Sequence, residues 1–388
     1  MIGWFISHQR VGFQLLLFNF LISTAFIAQQ PTPEISHTTG GITEVGVLKD
    51  APYRIDIPRD WNHSLVVYFH GYSLQIPSFK AINAIDSRLQ PFLDRHYAVI
   101  QSAYSQWGWA VESAVPETEA LRIYFLKTYG QPQETYVTGF SMGGLLTSMT
   151  LEQNPQPYIG GLDFCGVVVP TIEVFDRRFA ERAAFDTFFP GVMPPLVPSP
   201  ADYKANKPIR DKITAALHAN PTAAAQLRSL IGLRSEADVI DDIAFFTFVI
   251  TDVERRSGGN PFDNRNVIYT GTGSTALDAD LNTHVQRYVA DSHARDYLLH
   301  YYSPTGNLGR PLLAVHTLYD PLIPTETLSL YEHEVEAAGA GDKLAWQFVP
   351  TEGHCNFLPE KIGQAFDELV RWTHNGPRPA PGEVHSSQ

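Results

Sequence analysis

The chain has 388 residues, 44% of them hydrophobic and 18% charged, with a formal net charge of −13. Such a chain can bury a large core and is not a disordered polymer. The acidic balance argues against nucleic acid as a partner and against attraction to an anionic membrane, because phosphate binding needs a basic face. Two cysteines, Cys165 and Cys355, are too few for a disulfide scaffold or a zinc cluster.

Residues 1–28 stand apart. Arg10 precedes a largely apolar run, 11–22, and small residues follow at Ser23-Thr24-Ala25 and at Ala28. The pattern predicts a secretory signal peptide, and so a secreted or periplasmic protein with no stable membrane span once it is removed. An uncleaved anchor is the competing reading, although the run is short for a span. Residues 29–41, polar with Pro31 and Pro33, read as a loose linker.

Alternation over 42–48 and 53–57, around a turn at Lys49-Asp50-Ala51-Pro52, predicts an edge hairpin. The apolar run 65–69 suits a parallel strand covered on both faces, and it ends in His70-Gly71-Tyr72-Ser73. Residues 79–96 read as an amphipathic helix, 97–103 as a strand, and 104–109 as a loop carrying Tyr104, Trp107 and Trp109. A helix over 117–129 closes at Gly130. The strand 161–169 contains Cys165 and stops at Pro170.

From 171 to 308 the pattern changes. A proline- and aromatic-rich stretch, 188–200, precedes helices at 208–218, 221–231 (Asn220 as N-cap) and 237–256. Gly258-Gly259-Asn260-Pro261 interrupts the pattern and 281–301 resumes it. Phe188, Phe189, Phe245, Phe246 and Phe248 are more than an exposed insertion would carry, so some of them should face a site or the core. A strand over 311–317 runs into a loop holding Asp320. A helix follows at 331–338, then a strand at 344–349, then Thr351-Glu352-Gly353-His354. Residues 359–372 form a closing helix, and 376–388 read as a flexible tail.

The densest signal is Thr135 to Gly144. A short β-rich run enters Gly139-Phe140-Ser141-Met142-Gly143, and a helix-forming run follows at once. Strand, sharp turn and helix in this order thrust the Ser141 hydroxyl outward. Side chains at 139 and 143 would collide where strand and helix cross, so both are glycine.

This stretch resembles the nucleophile elbow of the α/β-hydrolase superfamily. The resemblance implies a mostly parallel eight-stranded sheet flanked by helices. It divides the chain into a core at 42–170 and 309–375 and a helical cap at 171–308, inserted after the sixth strand. It also implies the chain order Ser, acid, His, which falls on Ser141, Asp320 and His354. The backbone N–H groups of Tyr72 and Met142 take the place of the oxyanion hole. Trp107, Trp109 and Phe140 become candidate substrate contacts, although the tryptophans could equally pack their own loop.

A serine hydroxyl needs a base within reach, and the base needs an acceptor that fixes its tautomer. No metal or organic cofactor is required. Rival residues are weaker: His316 lies within a strand, Asp342 precedes one and Asp163 sits inside another. Asp278-Ala279-Asp280-Leu281-Asn282 lacks the glycine and the distant glutamate of a calcium loop. The expected activity is a serine hydrolase of carboxylic esters, carboxylesterase- or lipase-like, acting on small or polymeric esters. A peptidase or amidase of the same fold, or a binding protein on a decayed scaffold, are the alternatives. Two readings stay open for Cys165 and Cys355: a bridge holding the His354 loop, or two buried thiols.

Overall fold

The computed structural model describes residues 32–384 apart from 170, 302 and 326; the segment read as a signal peptide lies outside them. Among the described residues a ten-stranded sheet is flanked by eleven α-helices, with strand order β1-β2-β3-β5-β4-β6-β7-β8-β9-β10. The strands are β1 (Glu34–Thr38), β2 (Gly41–Leu48), β3 (Ala51–Pro58), β4 (Leu65–Phe69), β5 (Ala98–Ser102), β6 (Thr135–Phe140), β7 (Gly160–Phe164), β8 (Leu312–Tyr319), β9 (Leu344–Glu352) and β10 (Gly382–Glu383). From β5 through β10 neighbours run parallel; β1, β2 and β3 join antiparallel.

Strands β4, β5, β6 and β7 are buried along their whole length. One face, carrying Leu65, Val67 and Val137, packs against α2 (Val111–Tyr129) and α3 (Met142–Gln153). The other, carrying Val66, Tyr68 and Tyr136, packs against α1 (Gln90–Leu93) and α11 (Pro359–Thr373). Between β7 and β8 come α4 (Thr171–Phe188), α5 (Lys207–Ala219), α6 (Pro221–Ile231), α7 (Glu236–Ser257), α8 (Thr275–His284) and α9 (Ser292–Tyr301); α10 (Thr327–Ala337) follows β8.

Two strands exceed the eight expected, and both lie at edges. Residues 34–38, read as linker, pair with β2 through a two-residue turn, Thr39-Gly40. The strand is exposed on both faces, so it carries no hydrophobic alternation. The tail read as flexible instead docks Gly382–Glu383 on β9 and buries Val384. The helix expected over 79–96 shrinks to Gln90–Leu93. Pro91 has no N–H and fits only a first turn. The Asp86 carboxylate accepts the Arg88 N–H at 2.9 Å, which satisfies that backbone without a helix. Within the insertion, the single pattern read over 281–301 is two helices, α8 and α9. Asn220 does cap α6, accepting from the Ala223 N–H at 3.1 Å. No helix among the described residues is long and apolar enough to cross a membrane.

Candidate active site

The carboxyl ends of the parallel strands come into one row, with Phe69 beside Gly139, Phe140 beside Phe164 and Phe164 beside Val315. Everything that emerges there converges, as open parallel sheets arrange their ligand sites. Ser141 is the residue between β6 and α3, at φ 58° and ψ −121°, a conformation few side-chain-bearing residues adopt. Its N–H donates to the Phe164 carbonyl at 2.9 Å. The crossing is tight: a Cβ at Gly139 would lie 2.2 Å from the Gly143 carbonyl oxygen, and one at Gly143 would lie 2.0 Å from that of Phe69.

His354 follows β9, and its Nε2 lies 2.9 Å from Ser141 Oγ. Its Nδ1 lies 2.7 Å from Asp320 Oδ2, on the loop after β8. A carboxylate only accepts, so the proton sits on Nδ1 and Nε2 is left to accept from the serine hydroxyl. The other Asp320 oxygen accepts the N–H groups of Leu322 and Ile323 at 2.8 and 3.0 Å. Burial pushes the Asp320 carboxyl up, but the His354 hydrogen bond and charge, the Ile323 N–H and nearby His316 outweigh it. The net pKa lies below the ordinary value. His316 itself is buried, with Nε2 4.0 Å from Asp320 Oδ2; burial lowers its pKa, against the opposing pull of the Asp320 charge and the Thr317 carbonyl. Arg178 of α4, buried and paired with Glu181 and Asp242, donates to the Leu322 carbonyl at 2.5 Å and so braces the Asp320 loop.

Gly71 presses on the elbow: a Cβ there would come 3.0 Å from the Phe140 carbonyl oxygen and 3.3 Å from Ser141 Cβ. Tyr72, next along, lines the same cavity as Ser141. Met142 is the first residue of α3, so its N–H is one of the helix's free donors beside Ser141. An anion forming next to Ser141 would meet these donors and the positive end of the helix.

The cavity measures about 680 Å³. Its lining includes the apolar Trp109, Phe175, Phe245, Phe246 and Val249 and the polar Arg54, Lys80, Asn83, Asp86 and Arg88. Of the expected substrate contacts, Trp109 and Phe140 line it and Trp107 does not. Trp107 instead packs on Phe248 and under the Arg255 guanidinium, 4.8 Å away. Phe188 and Phe189 are also absent from the wall, with Phe189 packed on Phe185. The polar contributors from 80–88 carry no motif and fall in the stretch read as a helix, of which only Gln90–Leu93 is helical. Cys165 and Cys355 are bridged, with Cα atoms 5.5 Å apart.

Asp163, a rival acid, lies on β7 beside Gly139 of the elbow strand and forms no hydrogen bond with His354 among the described residues. Its oxygens make no well-formed hydrogen bond among the described residues and fill the space that side chains at Gly144 and Gly166 would need. Burial pushes its pKa up to about 8, with the Gly166 N–H pulling the other way. The native state therefore holds a proton that the unfolded chain releases near pH 4, so this group lowers stability as pH rises from about 4 to about 8. Asp163→Asn, which cannot ionise, should gain stability relative to wild type on going from pH 5 to pH 9, at a rate of at most about 1.4 kcal/mol for each pH step crossed. Denaturant unfolding at the two pH values measures it; an unchanged difference would refute the neutral buried acid.

The inner eight strands, β2 to β9, with a serine elbow at their centre and acid and histidine on the loops after β8 and β9, make this the α/β-hydrolase fold. No protein-family model and no curated protein matches the sequence. Solved structures similar to it include the Pyrococcus furiosus esterase Pf2001 (10% identity, 88% of this chain and 90% of that one, TM-score 0.44). Another is feruloyl esterase B from Aspergillus oryzae (13% identity, 87% and 82%, TM-score 0.46). A third, the Pyrococcus horikoshii acylaminoacyl peptidase (11% identity, TM-score 0.44), overlaps 92% of this chain but only 43% of its own. The fold assignment rests on this chain's strand order and elbow.

Proposed function

We propose that the protein is a serine hydrolase that cleaves carboxylic esters through an acyl-enzyme. The observation that carries the reading is the unbroken hydrogen-bond chain from Asp320 through His354 to Ser141, set at a helix N-terminus. His354 takes the Ser141 proton as Oγ attacks the ester carbon, and the resulting oxyanion is met by the N–H groups of Tyr72 and Met142. The protonated His354 then gives its proton to the departing alcohol, leaving an acyl group on Ser141. Water, deprotonated by His354, attacks that acyl carbon in turn; the acid departs and Ser141 recovers its proton. The scheme uses neither metal nor cofactor.

The insertion acts as a cap in this reading. Its Phe175, Phe245 and Phe246, with Trp109, form an apolar seat for an acyl or aryl group. Phe245→Ala should enlarge that seat and raise kcat/KM for longer p-nitrophenyl acyl esters relative to the butyrate. An unchanged chain-length profile would remove α7 from specificity. The chain's charge supports no role for nucleic acid. The 1–28 segment and the Cys165–Cys355 bridge favour an oxidising compartment outside the cytoplasm; a mature protein starting after Ala25 or Ala28 would support export.

Fluorophosphonate labelling, read by mass at Ser141, tests the nucleophile, with Ser141→Ala as the unlabelled control. Hydrolysis of p-nitrophenyl esters against peptide anilides tests the bond. Preferential anilide cleavage would replace the esterase reading with a peptidase, and absence of labelling would replace it with a binding protein.

A further inference from the structure

We propose that Asp252, on α7 of the insertion, is a positioning residue for the oxyanion loop; this rests on the hydrolase reading above. Asp252 is buried, and its carboxylate gathers donors from both sides of the site's rim. It accepts the Tyr72 hydroxyl at 3.3 Å and the backbone N–H of Trp109 at 2.8 Å. From its own helix it accepts Arg255 at 2.6 Å and Arg256 Nε at 3.1 Å. Arg256 in turn donates to Gln106, to Glu112 and to the Trp107 carbonyl, so the cations that balance the buried charge come from α7 and one of them ties that helix to the core.

A second line of contact reaches the same loop through the backbone. Gly108 has φ +82°, and a Cβ there would sit 2.2 Å from Asp252 Oδ2. The carboxylate thus occupies the room that the missing side chain leaves. The Gly108 N–H donates to the Ser73 carbonyl at 2.8 Å, in an isolated antiparallel bridge. Asp252 therefore holds Tyr72 by its hydroxyl, and it grips the Trp109 N–H of the backbone whose Gly108 is bonded to Ser73. The Tyr72 ring is also wedged edge-on against Phe245 and Phe248 of α7. Burial, and after it the Asp252 charge, keep the Tyr72 hydroxyl protonated far above the ordinary phenol range, so it remains a donor.

The consequence is functional. The oxyanion N–H of Tyr72 belongs to the core, yet its orientation is set by a carboxylate from the insertion. An oxyanion donor stabilises the transition state more than the ground state. Loosening it should lower kcat and leave KM nearly unchanged, whereas a merely structural loss would lower stability without that split.

The experiment measures kcat and KM on p-nitrophenyl butyrate, and the Ki of an alkyl boronic acid that adds to Ser141, for wild type, Asp252→Asn and Tyr72→Phe. The expected result is a 10- to 100-fold fall in kcat for Asp252→Asn, somewhat below the ~10²–10³ of deleting a donor outright. KM should move less than about threefold, and the boronate should weaken in parallel with kcat. Tyr72→Phe, which removes one hydroxyl, should show a smaller fall of the same kind and keeps the test open if Asp252→Asn does not fold. Wild-type kcat and boronate affinity in both variants would overturn the inference, as would a lower melting temperature with kcat intact. If wild type itself shows no Ser141-dependent hydrolysis, the hydrolase reading fails instead; activity abolished by Ser141→Ala but untouched in Asp252→Asn sinks this inference alone.

Discussion

Asp320→Asn should lower kcat by on the order of 10⁴, with KM little changed. The size follows from which way the amide must face. Asp320 Oδ1 already accepts two backbone N–H groups, from Leu322 and Ile323. An asparagine keeps those bonds only by placing its oxygen there, which turns its NH₂ toward His354. Nδ1 of His354 must then accept, its proton moves to Nε2, and Nε2 can no longer take the Ser141 proton. The substitution therefore leaves the serine, the histidine and the fold in place and removes the base by tautomer alone. A sign in pH accompanies it. The folded pKa of Asp320 is depressed, so the groups that hold its carboxylate contribute stability above the unfolded value near pH 4, and this is lost as pH falls through the folded value. Wild type should thus lose an acid-side increment of stability that Asp320→Asn does not have. Steady-state kinetics and urea unfolding at pH 3 and pH 7 check both. Activity within tenfold of wild type in Asp320→Asn, with Asp163→Asn inactive, would move the acid to Asp163.

What the sequence disclosed is what backbone chemistry imposes locally. Gly139 and Gly143 are fixed by a crossing at which any Cβ would touch backbone, so the elbow reads from the residues themselves. The strand over 65–69 reads from burial on both faces, and Asn220 from the free N–H groups of the helix it caps. Hidden from sequence were features that depend on distant partners. The edge strand Glu34–Thr38 exists because β2 is beside it, and Gly382–Glu383 because β9 is. The 79–96 stretch has a helical rhythm that Pro91 and the Asp86 carboxylate override, and so the polar wall around Arg88 was not visible. Trp107 and Trp109 look alike in sequence, and only the position of α7 sends one to the cavity and the other to Phe248. Asp252 carried no motif at all. Its meaning lies 180 residues away, at Tyr72.

Removing the Cys165–Cys355 bridge, by Cys165→Ser with Cys355→Ser or by reduction, should weaken both the fold and the chemistry. The two residues are separated by 190 positions, and loop-closure entropy over such a span predicts a loss of up to about 5 kcal/mol, with measured values often smaller. The chemical effect follows from where the ends are tied. Cys165 immediately follows β7, and its N–H is anchored to the Val315 carbonyl of β8 at 2.9 Å. Cys355 immediately follows His354, with its sulfur 3.5 Å from Nε2. Both cysteines have positive φ, 49° and 53°, a region that costs a side-chain-bearing residue free energy unless its surroundings hold it there. Without the bridge the 354–355 backbone is free to leave that conformation, carrying the imidazole off the line between Asp320 and Ser141. The expected result is a lower unfolding free energy together with a fall in kcat that exceeds any change in KM. Thiol titration should find no free thiol in the native chain before reductant and two after it. Two titratable thiols in unreduced, denatured protein would remove the bridge. Unchanged kcat in a folded double-serine variant would leave it as a staple with no hold on His354.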